Sequence, residues 1–497
     1  MKAKSILAIP FAKTIQKRVY KWAANPVKTQ EKVFKKLIKQ ATKTTFGEDH
    51  NYAKITSYSD FKKQVPIRDY EGLKNYIELI LKGQSDVLWK GVPLYFAKTS
   101  GTTSGAKYIP LTKESMPCHT KAARNALLLY IAETGNANFV NGKMIFLQGS
   151  PIIDEKNGIK TGRLSGIVAH YVPNYLQSNR MPSWETNCIE DWETKVNAIV
   201  EETVSEDMTL IGGIPSWVQM YFEKLQSKTG KSISDIFPNF NLFVYGGVNY
   251  EPYRNKFEKM IGKRVDSIEL FPASEGFFAY QDKQEEKGML LLLNNGIFYE
   301  FIKADEFYDD DPERISIGDV QLGINYVLII STNAGLWAYN IGDTVAFTSL
   351  KPYRIIVTGR IKHFISAFGE HVIAKEVEQA LYEATKGTLT SVTEFTVAPQ
   401  TNPDSGLPYH EWFIAFEKEP EDIEAFTATI EASMLQQNSY YFDLIEGKVL
   451  RSLVISKVKR DGFQEYMKSI GKLGGQNKVP RLSNDRKIAD GLQQFLI

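Results

Sequence analysis

One ten-residue stretch limits what this chain can fold into more than any other: Lys98-Thr99-Ser100-Gly101-Thr102-Thr103-Ser104-Gly105-Ala106-Lys107. Two glycines among consecutive hydroxyl residues favour a turn over a helix interior or a strand centre. Residues 92–98 and 107–111 read as short strands on either side, so the segment is expected to be a loop between two strands. Taken alone, the loop has two readings. It is a flexible turn, or it is a cradle for a polyphosphate. In the cradle, backbone amides freed by Gly101 and Gly105 work with the hydroxyls of Ser100, Thr102, Thr103 and Ser104 and the ammonium of Lys107. It is not a Walker A loop, which needs GxxxxGK[ST] before a helix. Here the glycines are four apart, and Lys107 is followed by Tyr108 at the start of a strand.

The rest of the chain is ordinary for a folded protein. Its 497 residues hold 60 Lys+Arg, 58 Asp+Glu and 43% hydrophobic residues, which argues against disorder and against a protein whose main business is coating nucleic acid. The length suggests two to four domains. Cys118 and Cys188 are too few for a disulfide framework, so a reducing, cytoplasmic setting is expected. The six His show no HExxH pairing, and apolar runs such as 289–293 and 326–330 fall far short of a membrane span. Charge is uneven. Residues 1–43 carry a net +11, leaving the remainder at −9. Pro10 and Lys13 interrupt the apolar stretch, which argues against a signal peptide. Val33, Phe34, Leu37, Ile38 and Ala41 recur at helical spacing, so this segment reads as amphipathic helices with a basic outer face. Weak contact with a membrane surface is the functional alternative to a merely solvated face.

Helices and strands are mixed throughout, with no internal repeat. A helix is expected from Thr112 towards 132 and another from Ser216 to a stop at Gly230, with strands at 144–148, 242–245 and 265–271. Asn294-Asn295-Gly296 between 290–293 and 297–302 is a hairpin signal. The register changes after the strand 355–358. This divides the chain into a large N-terminal multi-sheet α/β domain, 1–358, and a smaller α+β domain, 359–497.

Three further segments carry chemistry. Phe271-Pro272-Ala273-Ser274-Glu275-Gly276 leaves a strand with an aromatic ring, a hydroxyl and a carboxylate suited to magnesium. Tyr339-Asn340-Ile341-Gly342-Asp343 puts an aspartate at a glycine turn, able to accept from ribose hydroxyls. Gln476-Asn477-Lys478-Val479-Pro480-Arg481 presents a lysine on a loop. Each segment alone reads equally as plain structure.

In their order these segments resemble the auxin-responsive family of acyl acid amido synthetases, within the adenylate-forming superfamily of acyl-CoA synthetases and luciferases. The resemblance rests on the TSGTTSGxxKxxP-like loop from Thr99 to Pro110, Tyr245-Gly246-Gly247, Phe271 to Gly276, Tyr339 to Asp343, and Lys478 to Arg481. It covers nearly the whole chain. It implies an ATP-dependent ligase that joins a small carboxylic acid to an amine, usually an amino acid, through an acyl-adenylate, releasing AMP and pyrophosphate. The small domain would be a mobile lid turning near Arg360. Lys478 and Glu275 would be catalytic, the latter holding Mg2+. Ser100 to Gly105, Lys107, Gly247, Phe271, Ser274, Tyr339, Asp343 and Arg360 would bind ATP. Two positions depart from the pattern: Asn340 stands where the family commonly has arginine, and Lys362-His363-Phe364-Ile365 replaces the superfamily's usual Asp-Asp-x-Ile. Phe146, Tyr171, Tyr175, Ile214 and Trp217 are candidates for the acid pocket. Two rival readings remain: a thioester ligase using coenzyme A, and a nucleotide-binding protein without turnover.

Overall fold

The basic N-terminal segment forms two helices, α1 (Ala3–Ala23) and α2 (Pro26–Ala41). Pro26 suits the first turn of α2, where its missing N–H leaves no helical bond unmade. The residues expected to face inward, Val33, Phe34, Leu37, Ile38 and Ala41, are all buried, and Phe34 meets Phe61 edge-on at 5.4 Å. The lysines of α2 lie on the opposite, exposed face. Helix α1 turns Ala12, Ile15, Val19 and Ala23 into a core shared with α3 (Met116–Thr134). Burial of Ile15 and of Val19 contributes about 1.5–3 kcal/mol each.

The computed structural model describes residues 3–99, 107–172, 177–247, 250–361, 364–365, 367, 370, 372–446, 449–473 and 478–497. By Cα packing the chain forms two units. The first is Met1–Val248, Met260–Ile341 and Val345–Ile356; the second is Asn249–Lys259, Gly342–Thr344 and Val357–Ile497. The second thus draws in two segments that the reading by sequence left in the large domain.

In chain order the strands of the first unit begin with β1 (Tyr95–Thr99), β2 (Lys107–Leu111), β3 (Lys143–Phe146), β4 (Asp154–Lys156), β5 (Ile159–Gly162), β6 (Arg180–Met181), β7 (Met208–Gly213), β8 (Leu242–Gly246), β9 (Asp266–Ala273) and β10 (Gly276–Tyr280). There follow β11 (Met289–Leu291), β12 (Ile297–Lys303), β13 (Ile315–Ser316), β14 (Asn325–Thr332), β15 (Tyr339–Leu350) and β16 (Tyr353–Arg360), the last two running on into the second unit. A small sheet has the order β2-β1-β5-β4. A twelve-stranded sheet has the order β13-β12-β14-β15-β16-β11-β10-β9-β8-β7-β3-β6. Its β6-β3-β7-β8-β9 segment is parallel, and the chain then reverses from β9 into antiparallel β10. The continuous apolar reading of β7 and β8 is what a parallel strand buried on both faces requires.

Two local expectations change. Helix α3 starts at Met116 rather than Thr112. Thr112 and Ser115 exchange hydrogen bonds, backbone N–H to hydroxyl in both directions at 2.9 and 3.1 Å, and the Thr112 hydroxyl donates to the Asn333 carbonyl at 2.7 Å. More telling, residues 289–291 and 297–303 do not form a hairpin. Strand β11 pairs with β10 and β16, and β12 with β13 and β14. Gln30 of α2 occupies the gap. Its Nε2 donates to the carbonyls of Leu293 (2.8 Å) and Ile297 (2.9 Å), and its Oε1 accepts from the Tyr299 N–H at 2.8 Å. A side chain from a distant helix thus satisfies the backbone groups that a hairpin would have paired.

The second unit is built on β17 (Phe364–Ile365) and β18 (Val372–Ile373), which pair with each other, and on β19 (Ser391–Gln400), β20 (Tyr409–Lys418) and β21 (Val454–Val458) in that order across one sheet. Helices α4 (Ala374–Thr385) and α5 (Ile423–Gln437) cover it. Asp422 caps α5 by accepting from the N–H groups of Glu424 and Ala425.

Candidate active site

In the first unit the sequence motifs gather where parallel strands end. Register places Phe146 of β3 beside Gly212, Gly213 of β7 beside Tyr245, and Gly246 of β8 beside Leu270 of β9. Open parallel sheets bind ligands outside these carboxyl ends, at the point where the strand order reverses. Gly246 is required for packing, since a Cβ there would sit 2.5 Å from the Leu270 carbonyl oxygen. Gly247 adopts φ +84°, a left-handed conformation that other residues rarely adopt. One strand further on, Ser274 and Glu275 form the tight turn joining β9 to β10. Ser274 is buried and Glu275 half-buried. Phe271 is buried and packs edge-to-face on Phe278 at 5.0 Å.

In the other sheet, Thr99 and Lys107 face each other as the last pair of the β1–β2 ladder, at the mouth of the hydroxyl-rich loop. The Lys107 ammonium lies 5.6 Å from the Tyr70 ring centroid. Ser100, Gly101, Thr102, Thr103, Ser104 and Gly105 lie outside the described residues. Tyr339 is 2% exposed and forms a backbone bridge with Arg68. The Asn340 N–H donates to the Arg68 carbonyl at 2.8 Å. An arginine therefore lies alongside the turn that lacks the family's own. Its guanidinium is engaged elsewhere, 2.8 Å from His50 Nε2 and over the Phe46 ring. Among the acid-pocket candidates, Phe146 and Tyr171 are exposed, with Tyr171 donating to the Tyr95 hydroxyl at 3.3 Å. Trp217 is instead buried against Trp192, and Tyr175 lies outside the described residues.

The second unit brings together residues from two distant stretches of sequence. Arg360 Nε donates to Asp343 Oδ1 at 2.7 Å, and the Ile361 N–H donates to the Gly342 carbonyl at 2.7 Å, locking the turn. The Lys478 ammonium feels the charges of Asp343, Arg360 and Arg481. Lys478 keeps solvent-accessible surface, yet its ammonium is set among enough protein to be desolvated. Desolvation and the two arginines outweigh the attraction of Asp343, and its pKa is pushed down to about 8.

Arg481 is what holds the lysine's loop, a role that its charge alone did not reveal in the sequence. It is 9% exposed, pairs with Glu394 and Glu378, and lies 4.8 Å over the Phe395 ring. The segment after Lys478 also lines up with β19. The Thr396 hydroxyl donates to the Pro480 carbonyl at 2.7 Å, and the Val397 N–H donates to the Arg481 carbonyl at 2.9 Å.

Profiles of the GH3 family match three stretches: its N-terminal domain over residues 15–190, its central domain over 290–360 and its C-terminal domain over 375–487. An indole-3-acetic acid-amido synthetase of Arabidopsis thaliana, GH3.3, is 21% identical over 94% of this chain and 91% of its own. A jasmonoyl–L-amino acid synthetase of Nicotiana attenuata, JAR4, is 22% identical over 64% of this chain and 66% of its own. The solved structure of the GH3.15 acyl acid amido synthetase superposes with a TM-score of 0.78, covering 96% of this chain and 95% of that one at 16% identity. The fold is that of the GH3.15 acyl acid amido synthetase, and the protein is a ligase. Among ligases, the chain belongs to the GH3 family.

Proposed function

We propose that the protein activates a small carboxylic acid with ATP and passes the acyl group to an amino acid. The observation that carries this reading is the convergence of Asp343, Arg360 and Lys478 in one unit. A ribose acceptor and two cations then stand together, as adenylation requires. In the first step a carboxylate oxygen attacks the α-phosphorus, the bond to the bridging oxygen breaks, and pyrophosphate leaves. In the second the amine attacks the acyl carbon, loses a proton, and AMP departs. Negative charge grows on phosphate oxygens in the first step, so placed donors and cations supply the catalysis.

The loop Ser100 to Gly105 with Lys107 cradles the phosphates, and Gly247 lets the backbone approach the nucleotide. Phe271 offers a ring edge to the adenine, Ser274 offers a hydroxyl, and Asp343 accepts from the ribose hydroxyls with Arg360 beside it, while Tyr339, enclosed by protein, supports the turn from behind. Lys478 stabilises the charge that builds on the α-phosphate. Glu275 is a single half-buried carboxylate at a strand end, and among the described residues no cluster of three metal-ligating side chains occurs. That donor set fits Mg2+, which keeps its waters and takes one or two carboxylates alongside phosphates. When bound, the ion would neutralise phosphate charge.

Among the described residues no helix is long and apolar enough to cross a membrane. Ile6, Leu7 and Phe11 protrude from α1 at 50% exposure or more, beside the exposed basic face. This supports weak contact with anionic membranes, and the free Cys118 and Cys188 support a cytoplasmic setting. The test of the central reading is an ATP–pyrophosphate exchange screen across aryl and alkyl carboxylic acids, followed by product analysis with amino acids and with coenzyme A. Acid-dependent exchange and amide product are expected. Exchange followed only by thioester would overturn the acceptor assignment, and no exchange with any acid would overturn the activity.

A further inference from the structure

Three cations converge just beyond the carboxyl end of β3. Lys195 is 1% exposed, and its ammonium donates to the carbonyls of Gln148 (3.0 Å) and Asn187 (2.6 Å). Arg180 donates through Nη1 to the Ala169 carbonyl at 3.0 Å and through Nη2 to the side-chain oxygen of Gln148 at 3.1 Å, with that amide turned to suit its neighbours. Arg163 lies against Gly149, where a Cβ would sit 2.9 Å from its Cδ and 3.0 Å from its Nη1. All three therefore meet the dipeptide Gln148-Gly149.

What sets them apart is the missing counter-charge. Lys195 is buried, Arg180 is half-buried and Arg163 is exposed, so the cluster meets solvent through the Arg163 guanidinium. Among the described residues, no carboxylate lies within ion-pairing distance of Arg163, Arg180 or Lys195. Carbonyl dipoles satisfy donors of Lys195 and Arg180, and the Arg163 charge repels that of Lys195. Burial raises the cost, drawing down the pKa of Lys195 to about 8 and lowering that of Arg180. The Ser165 hydroxyl, buried beside the same loop, has no partner. Two residues before Gln148, Phe146 is exposed, with its ring against Gly212.

We propose that Arg163, Arg180 and Lys195 form a subsite for a second, non-reacting carboxylate. It would belong either to the acid, making the substrate a dicarboxylic acid, or to the amino-acid acceptor. The guanidinium fork of Arg163 is suited to bidentate carboxylate binding, while Lys195 and Arg180 hold the loop and supply the field. This inference rests on the adenylation reading, and the site lies beside the strand ends where that reading puts the substrates.

The experiment compares wild type with Arg163→Gln and Arg180→Gln in two arms. In the acid arm, ATP–pyrophosphate exchange is measured without acceptor for benzoate against terephthalate and for hexanoate against adipate. In the acceptor arm, amide formation from the best acid is measured with phenylalanine against phenethylamine and with alanine against ethylamine. Wild type should favour the carboxylate-bearing member in one arm, which identifies the source. In that arm the preference, as a ratio of kcat/KM, should fall roughly ten- to a hundredfold in Arg163→Gln, the scale of a lost hydrogen bond to a charged group. Circular dichroism and the thermal midpoint check that each variant folds. Exchange-competent wild type with no preference in either arm, or a preference that survives in both folded variants, would overturn the subsite while leaving adenylation standing. No exchange with any acid would overturn both.

Discussion

Asp343 and Lys478 occupy opposite ends of the same chemical argument. The Asp343 carboxylate already holds Arg360, and on our reading it accepts from ribose hydroxyls in ground and transition states alike. Uniform binding of that kind lowers KM without raising kcat, so Asp343→Ala should raise the KM for ATP by about tenfold and leave kcat less affected. Steady-state kinetics at saturating acid measure this, and an unchanged KM would remove the ribose role. Lys478 should act only while charge builds on phosphate. Lys478→Ala should lose about 10² in pyrophosphate exchange, as when one transition-state donor is deleted. It should still convert supplied acyl-adenylate to amide near the wild-type rate. The pKa adds a sign. With its value drawn down to about 8, the ammonium loses its proton as pH rises through 8, and exchange should fall on that alkaline limb. Lys478→Arg, always protonated, should lose the limb even if its rate is lower. An alkaline limb that persists in Lys478→Arg would assign the titration to another group.

At the scale of elements, helix and strand identities followed the sequence closely because local pattern controls them. The face Val33–Phe34–Leu37–Ile38–Ala41 and the Gly230 stop, with φ +68°, are decided by spacing and by one left-handed residue. What failed was pairing. Asn294-Asn295-Gly296 carries a hairpin signal, and Gly296 does adopt φ +74°, yet β11 and β12 part because Gln30 from α2 fills the gap. Removing that side chain leaves two carbonyls and one N–H unpaired in a buried position. Gln30→Ala should therefore destabilise the fold by about 3 kcal/mol. Urea unfolding measures the change, and a loss well under 1 kcal/mol would show that water or local movement replaces the amide.

At the scale of the whole molecule, the five motifs keep the order expected of an adenylating enzyme, and a distinct nucleotide product follows. Turnover should yield AMP and pyrophosphate, because the loop from Thr99 to Lys107 is not a Walker A loop and on our proposal the remaining motifs serve attack at the α-phosphate. Chromatography of the products decides it, and stoichiometric ADP would exclude the mechanism. The sequence by itself determined the element types, the family resemblance and the identity of most candidate residues, since these depend on short spacings and on residue chemistry. The tertiary structure alone decided which elements pair, that Asn249–Lys259 and Gly342–Thr344 pack with the second unit, and that Arg481 braces the loop of Lys478. It alone brought Arg163, Arg180 and Lys195 onto one dipeptide, with no carboxylate at ion-pairing distance among the described residues. The physical reason is range. Periodicity and turn chemistry act over a few residues and leave a mark in the string, whereas packing and electrostatics depend on distances that only the folded chain creates.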